Sequence, residues 1–191
     1  MTAEQLTEIL QRRFTPDFRE QLEIVRRNSR GKIWVIGGFV YKTLASELYG
    51  REIKTKDVDF LVENPNPEIV LPEGWKITLN HFGNPKFISP DGKEKPDFVP
   101  LARVYSILKR RLPPEIENYL SGTPLNVQSI AYEVDGRIIG DAGISALEKR
   151  VVAVHNLDMA KDVAYWIYNK TVNDIIKKAA DELGFQAEYP N

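Results

Sequence analysis

The sequence predicts an α+β (mixed α/β) protein, built as a mixed β-sheet with flanking helices and a C-terminal helix. Three observations predict it. The apolar run "IWVIG" turns at Gly37-Gly38 directly into a segment with helical period. A run of short strand-like segments rich in β-branched and aromatic residues comes next. The last third then returns to helical patterns. This order of strand, helix, several strands and mixed helices is not the regular alternation of a doubly wound parallel sheet. No G-x-G-x-x-G and no G-x-x-x-x-G-K-[ST] occurs, so dinucleotide and P-loop binding lack their fingerprints.

Each element has its own signal. Thr2 to Phe14 reads as a helix with Leu6, Ile9 and Leu10 on one face, interrupted by Pro16; Phe18 to Arg27 is a second. "NSRGK" reads as a turn before the buried strand "IWVIG". Val40, Leu44 and Leu48 recur every four residues, and Gly50 is the helix stop. "DVDFLV" is a strand, and residues 65 to 74 form a proline-rich loop. "WKITLNHF", "PKFIS" and "KPDFVPL" are three more strands, with "PDGK" a turn between the last two. "VYSILKRRL" is a helix ended by Pro113 and Pro114, and "EIENYL" another. "LNVQSIAYEV", "DG" and "RIIG" read as a hairpin. "SALEKRVV" is a helical turn running into a strand, and Met159 to Leu183 is predicted as one long terminal helix. The expected organisation is one domain over 1–191: a helical segment 1–30, a core 31–156 and a helical extension 157–191.

Composition narrows the chemistry. The 191 residues carry a formal net charge of −1, with 42% hydrophobic and 28% charged residues. A protein that coats nucleic acid indiscriminately needs a surplus of Lys and Arg, and there is none overall. Cysteine is absent and histidine numbers 2, which excludes disulfides, thiol catalysis and cysteine-ligated zinc. No apolar run reaches membrane-spanning length and the N-terminus lacks a signal-peptide core, so a cytoplasmic protein is expected.

The chemistry-bearing stretch is "WVIGGFVYKTLASELYGREIKTKDVDFLVENP". Gly37 and Gly38 sit where strand becomes helix. Glycine there lets a ligand approach bare backbone, and the helix N-terminus offers N–H groups to a phosphate. A tight strand-to-helix turn without a ligand is the competing account. Asp57 and Asp59, spaced i and i+2 on a strand, leave the same face, while Val58, Phe60 and Val62 face the core. Two close carboxylates repel and strands disfavour aspartate, so a cation is expected between them. Either magnesium or a salt bridge to Lys54 or Lys56 answers that need. Asp97, in "KPDFVPL", is a third acid inside a strand-like run. If its strand neighbours that of Asp57 and Asp59, three carboxylates converge in a way that suits two metal ions.

These motifs together resemble the nucleotidyltransferase superfamily, above all the catalytic head of bacterial tRNA nucleotidyltransferases and poly(A) polymerases. That family shows a Gly-Gly pair between strand and helix, a Gly ending the helix, and Lys-Asp-x-Asp. Here these are Gly37-Gly38, Gly50 and Lys56-Asp57-Val58-Asp59, and Asp97 matches the third carboxylate position. "LNVQSIAYEVDGRIIGDAGISALEKRVV" is similar to the family's stretch that begins Phe-Thr-Ile-Asn-Ala-Leu-Ala-Tyr and ends in a Gly-x-x-x-Leu-x-x-x-Val pattern. The resemblance covers roughly residues 31 to 155. There are departures. Tyr41 and Lys42 stand where the family has Arg-Asp after the glycines, "GTP" (Gly122 to Pro124) replaces an Arg-Arg-Asp, and Gln128 replaces an asparagine. The chain after Asp158 is too short for the family's base-selecting neck and tRNA-gripping body, so a full CCA-adding cycle is not expected.

The resemblance implies a nucleoside triphosphate with its phosphates over Gly37-Gly38, and magnesium (a two-metal site) held by Asp57, Asp59 and Asp97. Asp97 would also help deprotonate an acceptor hydroxyl. A nucleoside monophosphate would pass to an RNA 3′ end, a protein or a small molecule. Lys42, Arg103 and Arg110 are candidate nucleotide-binding cations, the last two within a cluster with Lys109 and Arg111 that reads equally as a solvated helix face. Tyr165, Trp166 and Tyr168 read as packing groups or as base-stacking surfaces. The alternative is a nucleotide-binding or protein-interaction module of the same fold with decayed catalysis, which the missing Arg-Asp motivates.

Overall fold

The computed structural model describes residues 1–55, 58–80 and 82–190, with only the backbone of Glu94 and Lys95. Lys56, Asp57, His81 and Asn191 lie outside the described residues.

Two helices open the chain, α1 (Ala3–Gln11) and α2 (Pro16–Arg27). Both start for reasons visible in the sequence. Thr2 accepts from the Gln5 N–H and Gln5 answers it in a capping box, while Thr15 caps α2 ahead of Pro16. β1 (Ser29–Ile36) follows and enters α3 (Gly38–Tyr49), which ends on Gly50 in the left-handed conformation. The predicted "NSRGK" turn is instead the start of β1. The glycine is used there for a register irregularity between Arg30 and Ile33, where Gly31 has φ +90°.

β2 (Asp59–Pro65), β3 (Lys76–Leu79), β4 (Pro85–Ile88) and β5 (Glu94–Pro100) form the run of strands. A 3-10 turn leads to α4 (Tyr105–Arg110) and α5 (Ile116–Leu120). β6 (Ala131–Glu133) and β7 (Ile138–Ile139) make the hairpin expected at "DG", with Asp135 at φ +63°. α6 (Asp141–Lys149), β8 (Val151–Val152), α7 (Leu157–Asp162), α8 (Val172–Leu183) and β9 (Gln186–Ala187) complete the chain.

The strands pair in the order β3-β4-β5-β2-β1-β6-β7, and β8 pairs with β9 apart from them. Within the larger sheet β2 and β5 run parallel and the other pairs antiparallel, which is the mixed sheet expected. Strand alternation sends side chains to two cores. Ile33, Val35, Phe60, Val62 and Phe98 pack with α1, α2 and α3 on one face. Trp34, Ile36, Leu61 and Leu101 pack with Val104, Ile107 and Ile116 on the other. The predicted inward set Val58, Phe60 and Val62 is buried.

The single terminal helix expected over Met159–Leu183 is broken. α7 passes into one π-helical turn (Val163–Ile167), Asn169 takes φ +49°, and Thr171 begins α8 with a capping box to Asp174. The side-chain oxygen of Thr171 satisfies a first-turn N–H, so a new helix start competes with continuation. Among the described residues, no helix is long and apolar enough to cross a membrane.

Candidate active site

Asp59 opens β2 and Asp97 sits within β5. Because these strands are parallel neighbours, Asp59 and Asp97 are direct register partners. Their side chains share the sheet face that carries Leu61 and Val99, the face covered by α4 and α5. On the other side of β2, Ile36 pairs with Asp59, so the last residue of β1 lies beside the first carboxylate. The next residue is Gly37, the N-cap of α3, at φ 71° and ψ −151°. A Cβ there would stand 2.8 Å from Asp59 Oδ2. Gly37 is therefore required twice, by its backbone conformation and by the carboxylate pressed against it. Gly38 begins α3, whose first turn no described side chain caps.

A cleft of about 300 Å³ collects Gly37, Asp59, Asn80, Asn84, Asp97, Tyr119 and Gln128, with apolar walls that include Val99, Val104 and Ile167. A larger cleft of about 810 Å³ lies along α2, α3 and the segment after Gly50, but its Arg13 and Glu47 pair with each other and neither Asp59 nor Asp97 lines it. The smaller cleft is the one that both Asp59 and Asp97 line.

The carboxylate of Asp97 is held unevenly. Its Oδ2 accepts from Asn80 Nδ2 at 2.7 Å. Its Oδ1 is buried without a hydrogen-bond partner among the described residues, and Lys86 Nζ approaches it only to 3.9 Å. A buried carboxylate oxygen in that state is costly unless a cation or donor meets it. Together with Asp59 across the register, it fits a hard divalent ion, which prefers carboxylate oxygens. Asp57 lies outside the described residues, and among the described residues no group of three His, Asp or Glu side chains is placed to hold a metal. Tyr41 and Tyr119 lie near. Burial raises the pKa of both phenols and the charge of Asp59 adds to it, so both stay neutral.

The predicted cations are placed elsewhere. Lys42 points along α3 and donates to Glu182 Oε1 of α8 at 2.6 Å, lining a separate small cavity with Tyr168 and Lys178. Arg110 is spent on α5: it donates to Ser121 Oγ at 3.1 Å, to the Asn118 carbonyl, and to the Ser106 carbonyl of its own helix at 3.0 Å. Arg103 is exposed on the 3-10 turn and does not line the carboxylate cleft. Lys109 pairs with Asp162. Helical period puts such residues on a solvated face, and carbonyls or acids of neighbouring helices then take them. Tyr165, Trp166 and Tyr168 are exposed rather than packed. Asn80 and Asn84 belong to the cleft without belonging to any motif read from the sequence. Their one local signal is an asparagine at each end of "NHFGN", a turn-forming pattern.

No protein-family profile matches the chain, and no curated protein matches it. Among solved structures it is similar to a CCA-adding enzyme in complex with ATP, with TM-score 0.62 and 18% identity over 96% of this chain and 42% of that one. It is similar to a Thermotoga maritima CCA-adding enzyme complexed with tRNA, with TM-score 0.58 and 16% identity over 100% of this chain and 43% of that one. It is also similar to the Bacillus stearothermophilus CCA-adding enzyme in complex with CTP, with TM-score 0.57 and 20% identity over 91% and 41%. The chain thus spans less than half the length of these structures. The likeness is one of fold, and it is the nucleotidyltransferase-like fold that the glycine and aspartate motifs led us to expect.

Proposed function

We propose that this chain is a metal-dependent nucleotidyltransferase that moves a nucleoside monophosphate from a nucleoside triphosphate to an acceptor hydroxyl and releases pyrophosphate. The observation that carries the reading is the register pairing of Asp59 with Asp97 beside Gly37, on the fold of enzymes solved with CTP or ATP. Asp59 and Asp97 would hold magnesium, with Asp57 the third acid of the sequence motif. When bound, the ion would neutralise phosphate charge and polarise the reacting oxygens.

The remaining work falls to the chain. Gly37 at the N-cap and Gly38 at the first helical position leave the start of α3 without side chains, so its N–H groups could receive the phosphates. The acceptor hydroxyl would pass its proton toward solvent with the assistance of Asp97 as its oxygen bonds to the α-phosphorus. The bond from that phosphorus to the bridging oxygen breaks and pyrophosphate leaves. Val99, Val104 and Ile167 give the cleft an apolar wall against which the reacting groups would lie. An RNA 3′ end, a protein hydroxyl and a small molecule are the acceptor classes to be tested, and the tRNA in one similar structure makes RNA the first.

Lys86 favours a second reading. Its ammonium stands at ion-pair distance from Asp97, as a resident cation would in a relic that binds no metal. Labelled triphosphates with magnesium and total RNA or cell extract separate the two. Active transfer should label one acceptor band, and Asp59→Asn or Asp97→Asn should reduce it by more than about 100-fold. Residues merely supporting a metal ligand already cost 10–100-fold. Wild type should also melt higher with magnesium and its triphosphate by mass action. No labelling and no melting shift with any triphosphate would leave the relic reading standing.

A further inference from the structure

We propose that Asn80 is the positioning residue of the carboxylate site: it ties down one oxygen of Asp97 and leaves the other without a hydrogen bond, available to a cation. The inference rests on Asp97 being a cation ligand. The carboxamide of Asn80 has one oxygen end and one nitrogen end. Its Oδ1 accepts from the backbone N–H of Phe82 at 2.9 Å and of Asn84 at 3.0 Å. Two N–H donors can be met only by the oxygen, so the network itself assigns the orientation of the amide. The NH2 end must then point away from the turn, and it reaches Asp97 Oδ2 at 2.7 Å.

Backbone hydrogen bonds also tie the described ends of this segment together. Asn80 N donates to the Asn84 carbonyl at 2.9 Å and Gly83 N to the Asn80 carbonyl at 2.8 Å. The turn is also laddered to its target, because β4 places Lys86 opposite Asp97 on β5. Oδ1 of Asp97 is left buried, with no hydrogen bond among the described residues. A second acceptor in the same cleft is in the same state: Asn84 is 4% exposed and its Oδ1 has no hydrogen-bond partner among the described residues. Buried acceptors are almost always satisfied; Lys86 Nζ stands 3.9 Å from Asp97 Oδ1, beyond hydrogen-bond reach, so both oxygens retain the capacity to meet a cation or a substrate donor. Orienting a ligand through a hydrogen bond to its other oxygen is the usual work of a residue one shell out from a metal.

The test measures Mn2+ affinity by calorimetry, without nucleotide, on the full chain as wild type, Asn80→Ser, Asp97→Asn and the double variant. Serine keeps an oxygen for the turn and is too short to reach Asp97. Asn80→Ser should weaken Mn2+ binding about 10–100-fold. In the Asp97→Asn background it should have no further effect, since the two residues act through one bond. Unchanged affinity in Asn80→Ser, or an equal loss in both backgrounds, overturns the positioning role while Asp97 keeps its own. A wild type that binds no Mn2+ overturns the proposed function and this proposal together. If the serine variant does not fold, the wild-type side-chain NH2 resonance of Asn80 answers instead: it should shift on Mg2+ titration, and an unmoved resonance overturns the proposal.

Discussion

Gly37 and Gly38 are neighbours in the chain with different obligations. Gly37 holds a conformation that is essentially confined to glycine, and a Cβ on it would meet Asp59 Oδ2 at 2.8 Å. Gly38 is helical, and a Cβ there would rest on the stem of Lys42 at 3.5 Å, an ordinary contact. Gly37→Ala should therefore cost about 1–3 kcal/mol in urea unfolding and displace the Asp59 carboxylate. Gly38→Ala should be neutral or stabilising by up to about 1 kcal/mol, since alanine is the better helix former. Equal effects would mean that the close approach at Gly37 carries no weight. The need for glycine at a strand-to-helix turn was legible in the sequence. Which of the two is pressed against a carboxylate was not, because that depends on how β2 registers beside β1.

Elements show the same division. Helix starts were readable wherever a cap residue precedes a periodic run, as at Thr2 and Thr15. The break between α7 and α8 escaped a reading by period, because the apolar spacing continues across it while the Thr171 cap decides otherwise. Asn28 is a further case. It is completely buried at the end of α2, where Nδ2 donates to the Ile24 and Val70 carbonyls at 2.8 and 2.9 Å and Oδ1 accepts from Val70 N at 2.6 Å. It replaces the ladder partners that the proline-rich segment before β3 lacks. Asn28→Ala should destabilise by about 1–3 kcal/mol, because it removes the hydrogen bonds to the Ile24 carbonyl and to the part-buried backbone of Val70. A loss below about 0.5 kcal/mol in chemical denaturation, the range of an ordinary surface change, would show that water fills the site freely.

At the scale of the whole molecule, stability is expected to respond to pH through His155. Burial lowers its pKa below the ordinary 6.5, Arg110 adds to the shift, and a hydrogen bond with the Leu120 backbone opposes it. The unfolded chain then takes up the proton first as pH falls. The contribution of neutral His155 is present above about pH 6.5 and is lost below it. Melting temperature should begin to decline as pH falls below about 6.5, above the range where carboxylates titrate, and His155→Gln should flatten the start of that decline. An unchanged slope in the variant would assign the decline to another group.

The sequence by itself determined the class of fold, the glycine turn and the inward set Val58, Phe60 and Val62, and it singled out the aspartates on which the proposed chemistry rests. All of these come from local period, turn chemistry and the cost of acids on a strand, which act within a few residues. Tertiary structure alone decided which acids meet and what surrounds them. Asp59 and Asp97 become partners because β5 adds to β2 in parallel, and Asn80 reaches Asp97 because β4 lies alongside β5. It also withdrew Lys42 and Arg110 from the cleft and gave them to Glu182 and to α5. A long cationic side chain goes to whichever acid or carbonyl the packed helices bring within reach, and that partner is set by the packing of distant segments.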